Sequence, residues 1–326
     1  MSHDLLLHAR LSQRQLAPAR PTLRRISLLA LALAAALYSS VASAQSAPPP
    51  TPAPAAAAAP AAVPAQSPPM NGIAHIAIRV QDIAASVSFY NKLGFQQAFA
   101  MTGRDGKVSQ SFIKINDKQF IELYPVNAQN PTQSAPGFMH LCFEGADLNA
   151  LHDYYVAEGL APISVRKAGA GNLLFTLKGP QQPAFAQNIE YTQYMPGSLH
   201  SNDAGQHLGP DRVADKMVAV TLAMQDPSAA RAFYLDKLGF TIADKYNGHE
   251  FLALPGHSNE AVEIVPAASL GAKSSILLSS PDIRRSGELL KAKGIDFSDG
   301  DTLTVADPDG NILRIAPQAG TFQGPM

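Results

Sequence analysis

One cysteine, Cys142, stands among 326 residues. That excludes a disulfide framework within the chain and a cysteine-rich zinc module. Charge is also scarce. Only 16% of residues are Asp, Glu, Lys or Arg, and the formal net charge is −1. Proteins that bind nucleic acid normally carry a basic stripe that neutralises phosphates, so no nucleic-acid partner is expected. Long apolar runs are missing too. The Leu- and Ala-rich stretch at 26–37 is shorter than the about 20 residues a membrane-spanning helix needs. What remains is a neutral chain whose length suits about two domains.

The first 69 residues read as address and spacer. Residues 1–25 hold five arginines and one aspartate, the apolar stretch follows, and Ala42-Ser43-Ala44 closes it. Basic region, apolar core and small-residue exit are the parts of a secretory signal peptide, so 1–44 is expected to be removed on export to a periplasmic or secreted location, leaving no membrane span. Arg24-Arg25 before the core also admits a twin-arginine signal. Residues 45–69 contain nine Pro and ten Ala in 25 positions. Proline removes backbone donors and fixes φ, so this segment is expected to be an extended, disordered linker.

The rest is one unit used four times. Strand-like runs at 73–80, 138–144, 217–224 and 274–279 are each followed by an aspartate that opens an amphipathic helix: Asp82, Asp147, Asp226 and Asp282. Aspartate suits the N-cap because its carboxylate accepts from exposed first-turn amides. Seven and eight residues past each aspartate stand Phe89-Tyr90, Tyr154-Tyr155, Phe233-Tyr234 and Leu289-Leu290, bulky pairs placed to press onto a sheet. Glycines 94, 159, 239 and 294 end the helices. Further strand-like runs follow, so the unit reads βαβββ. The Gly-, Ser- and Asp-rich stretch at 197–212 separates the first two units from the last two.

Three motifs carry a family likeness: the run Phe89-Tyr90-Asn91-Lys92-Leu93-Gly94-Phe95, its counterpart Phe233-Tyr234-Leu235-Asp236-Lys237-Leu238-Gly239-Phe240, and Asp307-Pro308-Asp309-Gly310-Asn311. The sequence resembles the vicinal oxygen chelate (VOC) superfamily, the glyoxalase/bleomycin-resistance/extradiol-dioxygenase fold. The resemblance implies an α+β chain of four βαβββ modules forming two glyoxalase-like domains. They are expected at 70–196, metal-binding, and 213–318, degenerate, with 197–212 as linker and 319–326 as tail.

The resemblance also supplies ligand positions: His75, Glu122, His140 and Glu190. Strand alternation is compatible with them, since each then lies on the face opposite its strand's helix-facing residues. His75 and Glu122 are 47 residues apart, and His140 and Glu190 are 50 apart. Two imidazoles and two carboxylates suit a divalent Ni, Zn, Co, Mn or Fe ion without choosing among them. By the same resemblance Glu190 is the first candidate base and Glu122 the second, in glyoxalase I-like proton transfer on a small substrate with vicinal oxygens, a lyase or isomerase activity. Arg79, on the His75 face, is the candidate for binding an acidic substrate group. Export argues against glutathione hemithioacetals, which belong mainly to the cytosol. A non-catalytic binder resembling bleomycin-resistance proteins is the alternative, and an extradiol dioxygenase, with two histidines and one glutamate, fits less well.

The second pair lacks the ligand set. Ala219 and Ser275 stand where the histidines should be, and Arg314 replaces a glutamate, leaving Glu263 as the only acid. Cys142 reads as packing, and His200 and His207 as members of a solvated loop. His249 and His257 receive no role.

Overall fold

The computed structural model describes residues 66–130, 133–243, 249–256, 259–270 and 273–318. The expected signal peptide, most of the expected spacer, the tail and His257 lie outside the described residues.

The first module comprises strand β1 (Met70–Val80), helix α1 (Ile83–Lys92), and strands β2 (Gln97–Thr102), β3 (Val108–Lys114) and β4 (Phe120–Pro125). The second comprises β5 (Gly137–Gly145), α2 (Leu148–Ala157), β6 (Arg166–Lys167), β7 (Leu173–Gln181) and β8 (Ala186–Gln193). A one-turn helix, α3 (Leu199–Asn202), follows. The third module is β9 (Lys216–Met224), α4 (Pro227–Asp236), β10 (Thr241–Ile242), β11 (Phe251–Ala253) and β12 (Ala261–Pro266). The fourth is β13 (Ser275–Ser280), α5 (Ile283–Ala292), β14 (Leu303–Ala306) and β15 (Ile312–Pro317).

Each helix starts as its aspartate dictates. Asp82 accepts from the amides of Ala84 and Ala85, Asp147 from Asn149 and Ala150, Asp226 from Ala229, and Asp282 from Arg285. Such a cap stabilises a helix by about 1 kcal/mol over alanine. The eighth residue past each cap is fully buried: Tyr90, Tyr155, Tyr234 and Leu290. The seventh, Phe89, Tyr154, Phe233 or Leu289, packs partly buried against the same core. Burying a side chain of this size contributes roughly 1.5–3 kcal/mol, so these eight positions pin the helices to the sheets.

The modules pair into two mixed sheets. The first runs β2-β3-β4-β1-β5-β8-β7-β6 and the second β10-β11-β12-β9-β13-β15-β14. In the first, β1 lies parallel to β4 and antiparallel to β5, and β5 lies parallel to β8. The second repeats this with β9, β12, β13 and β15. The fold is α+β, as expected. The fourth module is one strand short among the described residues: its second strand shrinks to a single bridge, Ser298 to Thr304. The 307–311 motif is the β14–β15 turn, where the Asp307 carboxylate accepts from the amides of Asp309 and Asn311.

One apolar cluster runs through both module pairs. Polar ties cross it as well: the Tyr90 hydroxyl donates to Asp307, and that of Tyr234 exchanges hydrogen bonds with Gln187.

The stretch between the pairs is built in rather than loose. Val213 N–H donates to Leu93 O, and Leu199 N–H donates to Ala170 O. Two glycines make room for it. Gly94 and Gly171 have φ of +85° and +94°, where a side chain is strained, and a Cβ would meet the Asp211–Arg212 backbone at Gly94 and Ser198 at Gly171.

The anchor is Lys114 at the end of β3. Its side chain is fully buried, and Nζ donates to Asp203 O at 2.6 Å and Asp203 Oδ2 at 2.7 Å, with Asp117 Oδ1 at 2.8 Å. Asp203 Oδ1 lies 2.5 Å from His207 Nδ1. The expectation of a solvated loop here is overturned for His200, which is 4% exposed, while His207 is half-buried against Asp203.

Candidate metal centre

The four central strands of the first sheet bring the expected donors together. Register places Ala77 between Glu122 on β4 and His140 on β5, and sets Cys142 between His75 and Glu190. Alternation turns His75, Glu122, His140 and Glu190 to one face. His75 Nε2 lies 3.2 Å from His140 Nε2 and 3.5 Å from Glu190 Oε1. His75 Nδ1 lies 3.3 Å from Glu122 Oε1, and His140 Nε2 is 3.9 Å from Glu190 Oε2.

Donors bound at about 2.0–2.2 Å to one ion stand about 3–3.5 Å apart, near the separations of His75 Nε2 from His140 and Glu190, whereas Glu122 approaches the other nitrogen of that ring. Two sets of donor atoms lie within 4.8 Å of one another: His75, Glu122 and His140, and His75, Cys142 and Glu190. His75 belongs to both. Cys142, read from sequence as packing, is fully buried but also sits at ligand distance.

The electrostatics describe a site crowded with donors. Burial pushes both imidazoles toward the neutral form, His75 well below its ordinary value and His140 to about 4, with His140 opposing His75 and Arg79 opposing His140. Burial raises the Glu122 carboxyl to about 8, with the Glu190 charge adding to it. Burial raises Glu190 to about 7 against hydrogen bonding from Cys142 and the charge of Arg166. His75 Nδ1 is buried and makes no hydrogen bond among the described residues. Neutral imidazoles and two carboxylates that the charge of Arg166 only partly offsets form a donor set that a divalent cation fits.

The two glutamates are held differently. Glu122 Oε2 accepts from Gln110 Nε2 at 2.7 Å and from the Tyr124 hydroxyl at 3.0 Å, and Gln110 also reaches that hydroxyl at 2.6 Å. These partners fix one carboxylate. Glu190, 15% exposed at its side chain, has no comparable clamp.

A cavity of about 190 Å³ opens over the cluster, with His75, Glu122 and Glu190 in its wall. His140 sits behind it. Phe112, Leu174 and Tyr194 supply apolar wall, and Arg166, Asn172 and His200 supply polar groups. Arg79 keeps the expected face, opposite Tyr124 on β4, but lines a separate cavity with Lys273 and Asp309 rather than the one over the cluster. Arg166 is the cation at the first cavity.

The corresponding place in the second sheet is filled by an ion network. Glu263 occupies the register of Glu122, opposite Thr221, and Arg314 that of Glu190, opposite Leu277. Arg314 Nη2 lies 3.0 Å from Glu263 and also donates to Thr221, while His249 Nδ1 stands 2.5 Å from Glu263 Oε1. Among the described residues no set of three metal-binding donors forms there.

The sequence profile of the Glyoxalase/Bleomycin resistance protein/Dioxygenase superfamily matches residues 72–182 and 216–315. The chain belongs to that superfamily, with one match per module pair. Its fold is similar to that of the 2,3-dioxygenase LapB from Pseudomonas sp. KL28, at 13% identity and a TM-score of 0.58, covering 79% of this chain and 95% of that one. It is also similar to the Mn(II)-bound glyoxalase from Novosphingobium aromaticivorans, at 16% identity and a TM-score of 0.59, covering 78% and 84%. An extradiol ring-cleaving dioxygenase from B. fuscum aligns at 15% identity and a TM-score of 0.56, covering 80% and 75%. At these identities the likeness concerns the fold. No protein of curated function matches the chain in sequence.

Proposed function

We propose that this chain is an exported, metal-dependent lyase or isomerase of glyoxalase type, moving a proton between adjacent carbons of a small substrate with vicinal oxygens. His75, Glu122, His140 and Glu190 would hold the divalent ion. When bound, that ion supplies Lewis-acid stabilisation of charge developing on the substrate oxygens.

One observation carries the reading: of the two carboxylates beside the histidine pair, the buried Glu122 is clamped by Gln110 and Tyr124, while the partly exposed Glu190 is met only by the Cys142 thiol and the histidines. The clamped one suits a permanent ligand. The less tethered one suits a base that takes a proton from one carbon and returns it to the next. The cavity of about 190 Å³ admits a compact substrate. Arg166 is placed to meet an anionic substituent. The N-terminal basic, apolar and small-residue segments support export.

The test is metal analysis of the purified protein, followed by deuterium uptake from solvent into hydroxyacetone and related α-hydroxycarbonyls. Stoichiometric metal with uptake abolished in Glu190→Gln is expected. Absence of bound metal after supplementation sinks the reading, as does uptake unchanged in that variant. Oxygen consumption with a catechol would transfer the site to the dioxygenase class. Mass spectrometry of the exported chain should find its N-terminus at Gln45, and retention of 1–44 would refute cleavage.

A further inference from the structure

His200 belongs to none of the four modules, yet it lines the cavity over the candidate metal centre. It sits on α3, which the buried Lys114–Asp203 pair ties to β3. Three phenylalanines meet the imidazole edge to face: Phe99, Phe112 and Phe120, with ring centroids 4.8–5.2 Å away. Tyr194 stacks on it at 5.0 Å. The ring cannot turn without displacing this cage.

Its proton can be located from its neighbours. Asn172 Oδ1 accepts from the backbone N–H of Met195 at 3.2 Å, which fixes the orientation of the amide. Asn172 Nδ2 therefore donates to His200 Nδ1 at 2.9 Å. A neutral imidazole that accepts at Nδ1 carries its hydrogen at Nε2. That Nε2 is buried and has no partner among the described residues. A buried donor without a partner is destabilising, and here a caged ring and an oriented amide maintain one beside the donor cluster.

We propose that His200 is a substrate-positioning residue whose Nε2–H donates to an oxygen of the ligand held over His75, Glu122 and Glu190, selecting compact molecules with an acceptor oxygen next to the pair of oxygens that face the cluster. The proposal rests on the functional reading above for the cluster, and on α3 and Asn172 for the donor. A site built to donate one hydrogen bond rejects ligands lacking the acceptor, because its own group is then left unpaired. His200→Phe preserves the aromatic packing and removes the donor. His200→Gln restores an N–H.

The probe is oxalate, a small planar dianion with adjacent oxygens, titrated into Mn(II)-loaded protein by calorimetry and into 15N-histidine-labelled, metal-free protein by NMR. Three results are expected. The His200 resonances report the Nε2–H tautomer, and oxalate affinity falls at least tenfold in His200→Phe and recovers in His200→Gln. Mn(II) affinity stays within twofold in all three proteins. Oxalate binding equal in the three proteins overturns the proposal, and so does an Nδ1–H tautomer. If wild-type protein fails to bind Mn(II), the metal reading falls separately. The metal-free titration then decides for His200: an oxalate-induced shift at Nε2 sustains it and no shift refutes it.

Discussion

Lys114 offers a quantitative test of what holds the segment between the module pairs in place. Its ammonium is fully buried and meets two carboxylates of different exposure: Asp203, 6% exposed at its side chain, and Asp117, 44% exposed. Removing one partner of a buried pair costs about 3–5 kcal/mol, because the other charge is left without compensation. Asp117 and the Asp203 carbonyl remain near Nζ in Asp203→Asn, so the low end, about 3 kcal/mol, is expected. For a domain of this size that corresponds to roughly 6–12 °C in Tm. Asp117→Asn should cost no more than about 1 kcal/mol, since water already screens that carboxylate. Lys114→Met should be destabilising by itself, because it strands Asp203. In the double variant Lys114→Met/Asp203→Asn neither charge remains, and the loss should fall short of the sum of the singles by at least about 2 kcal/mol. Urea and thermal unfolding of the four variants measure this. Additivity within about 0.5 kcal/mol, or equal effects of Asp117→Asn and Asp203→Asn, would refute the reasoning.

Three further outcomes follow from the same geometry. His75→Ala should lower Mn(II) affinity by at least ~100-fold in a calorimetric titration, since His75 lies in both candidate donor sets; affinity equal to wild type would remove the site. The stability of metal-free protein should fall as pH rises from about 6.5 to about 8.5, and added metal should restore more of it at the upper end. The sign follows from Glu122 and Glu190, raised to about 8 and about 7: the folded chain holds protons that the unfolded chain has released, so stability is lost as pH climbs through the folded values. His75 and His140, both lowered, act in the other direction and only below about pH 6.5. A metal-free Tm that rises across the window contradicts the assignment. Arg314→Ala should destabilise by up to about 3 kcal/mol in urea unfolding, because it leaves Glu263, 2% exposed, with only Thr221 and the exposed His249, and should leave the metal stoichiometry unchanged; a neutral effect would show that the ion network contributes nothing.

The parts of this architecture that are local in sequence were the legible ones. Aspartate N-caps, the bulky pairs seven and eight residues later, and terminal glycines act within one helix, and all four copies fold accordingly. Alternation put His75, Glu122 and His140 on the right faces because the side-chain direction of a strand follows from counting. What the sequence hid depends on register or distant packing. Gln110 reaches Glu122 across the β3–β4 pairing, and Lys114 finds Asp203 across 89 positions. Counting along β1 gave Arg79 its face, opposite Tyr124, but not which of two cavities it lines, since that depends on Lys273 and Asp309 from distant elements. His200 lies in a stretch whose Gly, Ser and Asp content reads as loop. Nothing in that stretch announces the buried ring contact of His200 with Phe120.

The two module pairs solve the same charge problem in opposite ways, and the contrast bears on the metal reading. In the second sheet one carboxylate, Glu263, is buried, and Arg314, Thr221 and His249 surround it at the register positions and strand edge the fold provides. A buried carboxylate is tolerated when a cation and hydrogen-bond donors meet it. The first sheet places two carboxylates, Glu122 and the partly exposed Glu190, in the corresponding registers, with two imidazoles held neutral beside them and a second acid where the other sheet has its arginine. Arg166 reaches the cavity, but its charge lowers Glu190 too little to offset burial. Swapping Glu190 for the arginine of its counterpart should therefore do two things at once. Glu190→Arg should remove metal binding, and it should stabilise metal-free protein above about pH 8 by giving the Glu122 carboxylate the partner that Glu263 already has. Calorimetry with Mn(II) and thermal unfolding in EDTA read the two effects separately. Metal binding that survives the swap, or metal-free protein that is less stable for it at that pH, would mean that the cluster is not a cation site in want of its ion.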